Sequence, residues 1–363
     1  MFVGVDPKTK RRRYRSVTVP GSRADAPREL DAMVTSVRST SAAGLRSPVS
    51  DLLGAWYAIA STTWAPTTIR QTRSVLNRYL HPRLGDVAVG DLTPARIDAA
   101  YASLRRCGGM RGQPLAPGTL ARIHVVLRAA LGQAMRWGWI WDNPAERAHR
   151  IVAVAPELTP PAPQELCLLL DHARGRDPAL HALLVVAAFT GARRAQLLGL
   201  RWRNVDLDRG RLAFCAGWVE GPDGPVLTTT KTKRGHSVDL DSGTVDVLVE
   251  HAQRCRVRAG EMLDPDGFLF SDDIDGATAW KPNRVTKAFR RVRHDAGLRQ
   301  FRLHDLRHFM ATQMLDAGVP LAVVSPRLDH RRVSTTLDRY AHAVPGGDAT
   351  AAQTLWRIVQ QAS

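Results

Sequence analysis

His304-Asp305-Leu306-Arg307-His308, answered downstream by Leu328-Asp329-His330 and then by Tyr340, is the stretch that decides how this chain is read. Four side chains able to act on a phosphodiester, His304, Arg307, His330 and Tyr340, fall within 37 residues. The pattern predicts a helix over 303–315. Residues three apart are neighbours on a helix, so His304 and Arg307 project from one face. An arginine fork can hold a phosphate through two parallel hydrogen bonds, and an imidazole beside it can trade a proton near neutral pH. Tyr340 ends the run Ser334-Thr335-Thr336-Leu337-Asp338-Arg339-Tyr340, and a phenol can serve as a covalent nucleophile.

Upstream, an apolar helix is predicted over 180–189. Thr190-Gly191-Ala192-Arg193-Arg194-Ala195-Gln196 follows and sets an arginine just after a glycine turn. Farther on, Thr228-Thr229-Thr230-Lys231-Thr232-Lys233-Arg234-Gly235-His236-Ser237-Val238-Asp239-Leu240 reads as a hairpin, with two short β-prone runs around a polar tip. The chain has only six Lys against 45 Arg, and Lys231 and Lys233 both stand at this tip. A lysine can serve as an acid because its pKa moves, whereas an arginine keeps its proton.

The order Arg, Lys, His-x-x-Arg, His, Tyr resembles the tyrosine recombinase (phage integrase) family. The resemblance covers roughly residues 160–345 by motif and 50–150 by architecture. It implies a set of catalytic residues: Arg193 and Arg307 holding the non-bridging phosphate oxygens, and Lys231 protonating the departing 5′ oxygen. His304 would be the base for the tyrosine proton or a phosphate ligand, His330 a donor to a phosphate oxygen, and Tyr340 the nucleophile. His308 and His342 read as structural helix residues. The spacing of 23 residues from Arg307 to His330 and 10 more to Tyr340 suits the family pattern. Two positions depart from it. Gln196 stands where an acid is usual, three after the first Arg, and Asp329 where Gly usually precedes the second His. Both are expected to slow the enzyme, and Gln196→Glu to speed it. Pro326 is expected to break or kink the helix before His330.

Composition points the same way. The 363 residues carry a net charge of +17, which calls for a polyanionic partner. Residues 1–48 hold ten Lys/Arg against four Asp/Glu, and residues 49–150 thirteen against six, so most of the excess precedes residue 151. No apolar run is long enough for a membrane span, and no apolar signal-peptide core opens the chain. Four widely spaced cysteines without a CxxC read as reduced core residues of a cytosolic protein.

The fold class expected is mainly α with a small antiparallel β-sheet. A helical, SAM-like core-binding domain would join a mixed α/β tyrosine-recombinase catalytic domain. Residues 1–48 form a basic segment with a strand after Pro7 and a helix over 26–38. The segment is similar to the latter part of an arm-DNA-binding domain, with the first strand missing. Residues 49–150 are the core-DNA-binding domain, with helices over 50–61, 67–80, 94–105 and 117–137. Pro66, Pro94 and Pro117 mark helix starts. Leu120, Ile123, Val126, Leu127, Ala130 and Leu131 recur at helical spacing, so they form a core face. Residues 151–163 are a Pro-rich linker, 164–345 the catalytic domain and 346–363 a tail helix that docks on a neighbouring protomer or folds back.

The resemblance implies a site-specific recombinase that cleaves and rejoins DNA through a 3′-phosphotyrosine, serving integration or excision of a phage or mobile element. Its partners would be double-stranded DNA bearing specific sites and three further copies of itself, with room for accessory DNA-bending or directionality factors. It implies no cofactor: the covalent tyrosine route needs neither metal nor nucleotide. Two other readings stay open at this point. One is a type IB topoisomerase-like enzyme that relaxes DNA without a partner site. The other is a catalytically weakened DNA-binding protein.

Overall fold

The structure, a computed structural model, describes residues 2–5, 12–14, 27, 43–149, 151, 160–229, 235–260, 262–330, 332–340 and 360. The chain divides into two compact units, Met1–Pro156 and Glu157–Ser363.

The first unit opens with strand β1 (Phe2–Val5) paired antiparallel to β2 (Arg12–Tyr14). A strand therefore precedes the Arg-rich one, contrary to the sequence reading in which it was missing. The helix expected over 26–38 lies outside the described residues except at Pro27.

Four longer helices follow: α1 (Val49–Ala60), α2 (Pro66–Val75), α3 (Pro94–Cys107) and α4 (Pro117–Arg136). Proline stands at the first position of α2, α3 and α4, where its missing N–H leaves no bond unmade. Thr93 caps α3, its hydroxyl accepting the Arg96 N–H at 3.3 Å. The stripe on α4 is buried as its spacing demands, against Leu52, Leu53, Leu76 and Ile97. Fully burying a Leu or Ile is worth about 2 kcal/mol over leaving it exposed, so this face holds the unit together.

The second unit is built on α5 (Pro163–Arg176) and α6 (Pro178–Thr190), which pack against each other. Pro163 belongs to the first turn of α5 rather than to the linker. Asp177 caps α6 by accepting the Leu180 N–H at 3.0 Å. From Leu180 to Ala188 every residue of α6 is buried, so this helix is the spine of the core. The short helix α7 (Arg194–Leu198) follows. Strands β3 (Val205–Asp206), β4 (Arg211–Phe214), β5 (Ala216–Glu220), β6 (Pro225–Thr229) and β7 (His236–Asp239) come next. Helices α8 (Ser242–Ala259), α9 (Pro282–Asp295), α10 (Asp305–Asp316), α11 (Leu321–Arg327) and α12 (Val333–Tyr340) complete the described residues of this unit, apart from the single residue 360.

The sheets correct the expected hairpin. The two runs around Lys231 do not pair with each other: β6 pairs with β5, and β7 with β4. Only Cys215 separates β4 from β5, so the pair makes one long interrupted strand. Thr229 lies opposite Ala216 and His236 opposite Phe214. The chain reverses earlier, at Gly221–Gly224, where the Gly221 N–H donates to the Gly224 carbonyl at 2.7 Å. An upstream strand long enough to offer each later run its own partner is what the local reading lacked. Lys231 and Lys233 lie outside the described residues.

The cysteine reading also needs correction. Cys107, Cys167 and Cys215 are exposed and Cys255 half-buried, all as free thiols, so none is a core residue. No helix among the described residues is long and apolar enough to cross a membrane.

Candidate active site

Two turns and two helices of the second unit converge. The first turn ends α6: Gly191 adopts φ 67°, a left-handed conformation that only glycine takes without strain. A Cβ on Gly191 would also press on the Met310 methyl, which would have to move aside. This turn delivers Arg193 as the N-cap of α7. Gln196 reaches back to accept the Arg193 backbone N–H at 2.9 Å, a capping contact that fixes the start of α7.

The second turn ends α11. Pro326 does not break this helix; it sits in the last turn, and its carbonyl accepts the Asp329 N–H at 2.8 Å. The His330 N–H donates to the Ser325 carbonyl at 3.2 Å. The two bonds together are a Schellman motif. It places Asp329 at φ 52° and turns His330 back toward α10.

Arg307, on α10, ties the two turns together. It is 4% exposed. Its Nη1 donates to the Gly191 carbonyl at 2.6 Å, and its Nη2 donates to the Leu328 carbonyl and lies 3.0 Å from His330 Nε2. A guanidinium only donates, so His330 Nε2 accepts there, and Nδ1 carries the proton it gives Thr336 Oγ1 at 2.7 Å. Arg193 makes a second tie between the same turns, its Nη1 2.9 Å from Asp329 Oδ2.

His304 stands just before α10 as its N-cap residue, exposed, with its ring edge-on to His308 at 4.9 Å between centroids. Asp305 anchors that corner by accepting from the Arg302 backbone N–H at 2.6 Å and from Arg302 Nη2 at 2.9 Å. Burial raises its pKa, but these hydrogen bonds outweigh it and hold the carboxyl below the ordinary carboxylate range. A depressed pKa contributes stability that is present above the unfolded value and fades as pH falls through the folded one. Asp305→Asn should therefore cost about 1 kcal/mol at pH 7. In thermal melts the gap between the two proteins should close as pH falls below about 4. A gap that stays constant down to acid pH would contradict this role of the charge.

Tyr340 ends α12 and is 1% exposed, packed on Met310, Ala311, Leu315, Val324 and Leu328. Its hydroxyl lies 2.6 Å from His308 Nδ1. The structure thus brings Arg193, Arg307 and His330 into one hydrogen-bonded cluster and sets Tyr340 beside His308, whose ring meets that of His304. Lys231 lies outside the described residues, as does His342.

Sequence reasoning missed three residues here. His308 reads as an ordinary helix residue, yet it holds the phenol; its place one turn after His304 was the available signal. His236 follows the lysine segment and carries no signal of its own in the sequence. Its ring stacks on Phe214 at 5.0 Å, and its pKa is pushed down by burial and by the charges of Arg193 and Arg307, against a counter-pull from Asp329. It is thus a neutral imidazole within the field of both arginines. Asp329 stood out only as a departure, and the positive φ that suits the turn could not be read locally.

A buried phenol held by an imidazole and two arginines that tie the turns after α6 and α11 thus belong to one unit of the chain. Residues 162–345, just over half of the chain, match the phage integrase family. The chain belongs to that family and is a site-specific tyrosine recombinase. It is 24% identical over 331 residues to a XerC-like tyrosine recombinase of Caldanaerobacter subterraneus subsp. tengcongensis, covering 85% of this chain and 82% of that protein. It is 26% identical over 313 residues to an integrase of Streptomyces ambofaciens, covering 80% and 75%. Among solved structures, the Tn1549 transposon integrase in complex with transposon right end DNA superposes with a TM-score of 0.68 at 16% identity, covering 86% of this chain and 99% of that one. A lambda integrase tetramer bound to a Holliday junction gives 0.61 at 17% identity, covering 91% and 93%.

Proposed function

We propose that Tyr340 attacks a DNA phosphodiester to form a 3′-phosphotyrosine, with Arg193 and Arg307 stabilising the pentacoordinate phosphorus. The observation that carries this is Arg307 itself: one buried guanidinium bridges the turn that presents Arg193 and the turn that presents His330. Donors fixed before charge develops need no reorganisation when it does, which makes such a site catalytic rather than merely attractive. His308 holds the phenol in the DNA-free arrangement. His304, exposed at the start of α10, is the base for the phenol proton once α12 has moved, or a phosphate ligand. His330 donates to a phosphate oxygen once Nε2 is protonated, since in the DNA-free arrangement that atom accepts from Arg307. Lys231 protonates the departing 5′ oxygen.

Tyr340 is too deeply packed for a phosphate to reach its hydroxyl. Cleavage therefore requires α12 to shift, breaking the His308–Tyr340 and His330–Thr336 contacts. The bond energy is kept in the phosphotyrosine and returned on religation.

The target is double-stranded DNA with specific recombination sites, met in the cytosol or nucleoid, and the assembly is a tetramer across two sites. Accessory DNA-bending or directionality factors have a place in this scheme. Residues 49–150 act as the core-binding domain and 1–48 as an arm-binding segment. Titrating the full chain with site DNA across salt concentrations tests the electrostatic part: the log of the affinity should fall by about 0.9 per unit of log salt for each phosphate neutralised. A slope near zero would rule out a phosphate grip by the basic units.

A further inference from the structure

Asp329 occupies a turn position that glycine fills most often and asparagine or aspartate less often. The Schellman turn after α11 needs a left-handed residue at its C′ site, and side-chain-bearing residues adopt that conformation only at a cost in strain. Asp329 takes it, at φ 52°, in a turn whose hydrogen bonds come from the backbone and do not use the carboxylate. The strain is therefore not explained by the turn.

What the carboxylate does use is the Arg193 side chain. Oδ2 receives Arg193 Nη1 at 2.9 Å and faces the Gln196 amide nitrogen at 3.5 Å. Gln196 is itself fixed, because its carbonyl oxygen holds the Arg193 backbone N–H. Arg193 is thus bracketed at both ends: its backbone by Gln196 and one corner of its guanidinium by Asp329. Its Nε and Nη2 carry no hydrogen bond among the described residues, which leaves one edge for two oxygens of a phosphate. The Asp329 side chain is 22% exposed and that of Arg193 41%, so only the carboxylate end of the pair is withdrawn from water.

We infer that Asp329 is a positioning residue: its carboxylate fixes the Arg193 guanidinium in register with His330, its own chain neighbour, so that both meet the same phosphate. The carboxylate acts from the 329 side of Arg193, and Gln196 supplies a neutral partner from the other. The inference rests on Arg193 being a phosphate-holding residue, as proposed above.

Two consequences separate this from a merely structural role. First, Asp329→Gly relieves the left-handed strain, so the fold should be as stable as before or more so, while catalysis falls. Second, Asp329→Gly combined with Gln196→Glu moves the carboxylate to the opposite side of Arg193 and should restore the rate. Gln196→Glu alone would set a second carboxylate against Asp329, so it should give no acceleration; this reverses the expectation drawn from sequence.

The test is single-turnover cleavage of a nicked suicide DNA substrate at saturating occupancy, with thermal melts of each protein. It compares the wild-type chain, Asp329→Gly, the Asp329→Gly/Gln196→Glu double variant and Arg193→Ala. The expected result is a loss of about tenfold or more in Asp329→Gly at an unchanged or higher Tm, recovery in the double variant, and little or no cleavage by Arg193→Ala. Wild-type or faster cleavage by Asp329→Gly, with Arg193→Ala inactive, overturns the role of Asp329 and leaves the site reading standing. Wild-type cleavage by Arg193→Ala overturns both.

Discussion

Tyr340→Phe is expected to form no covalent complex on a nicked suicide substrate, while binding the same DNA with nearly unchanged affinity. The phenol oxygen is the atom that would bond to phosphorus, so removing it removes the reaction and not only its rate. The ring stays buried among Met310, Leu315 and Leu328, so the packing survives. What the fold loses is the hydrogen bond between the phenol and His308, a cost of about 1 kcal/mol. The variant should therefore be slightly less stable and entirely inactive. A denaturant-resistant protein–DNA complex formed by the Phe protein would show that another residue is the nucleophile.

Arg307 should give the largest combined effect on fold and activity. Its guanidinium serves two buried carbonyls, on Gly191 and Leu328, as well as His330. Arg307→Ala leaves both carbonyls without that donor, at about 1–3 kcal/mol each. If the second compact unit melts on its own, that corresponds to a fall in its Tm of roughly 10 °C. Cleavage should drop by about 10²–10³ even at a temperature where the variant is folded, the usual cost of losing one preorganised donor to a developing charge. Arg307→Lys keeps the charge but cannot bridge two carbonyls with one ammonium, so it should recover part of the stability and little of the rate. Full activity in the Lys variant would mean that charge alone, without the fork, suffices.

Much of this site was legible because its chemistry is written in local order. His304, Arg307, His330 and Tyr340 lie on one short run, and His304 and Arg307 fall at the start of the helix their spacing suggests. The first unit was legible for a different reason: prolines at 66, 94 and 117 and the stripe on α4 are signals that need no tertiary context. The misses all depend on partners distant in sequence. Pairing of β6 with β5 and β7 with β4 is decided by an upstream strand broken at Cys215, which no reading of the lysine segment alone can supply. The role of His308 appears only when α12 returns to lay Tyr340 against it. Asp329 read as a defect because its sequence neighbours give no hint of the positive φ it fills or of Arg193, which lies 136 residues away.

The central claim is that this chain cuts DNA by becoming attached to it through Tyr340. The most direct measurement is to trap the wild-type protein on a nicked suicide substrate, digest the complex and identify the nucleotide-bearing peptide by mass spectrometry. The expected product is a single adduct on Tyr340, joined to a 3′ phosphate, with a free 5′ hydroxyl on the released strand. An adduct on any other residue, or attachment through a 5′ phosphate, would contradict it.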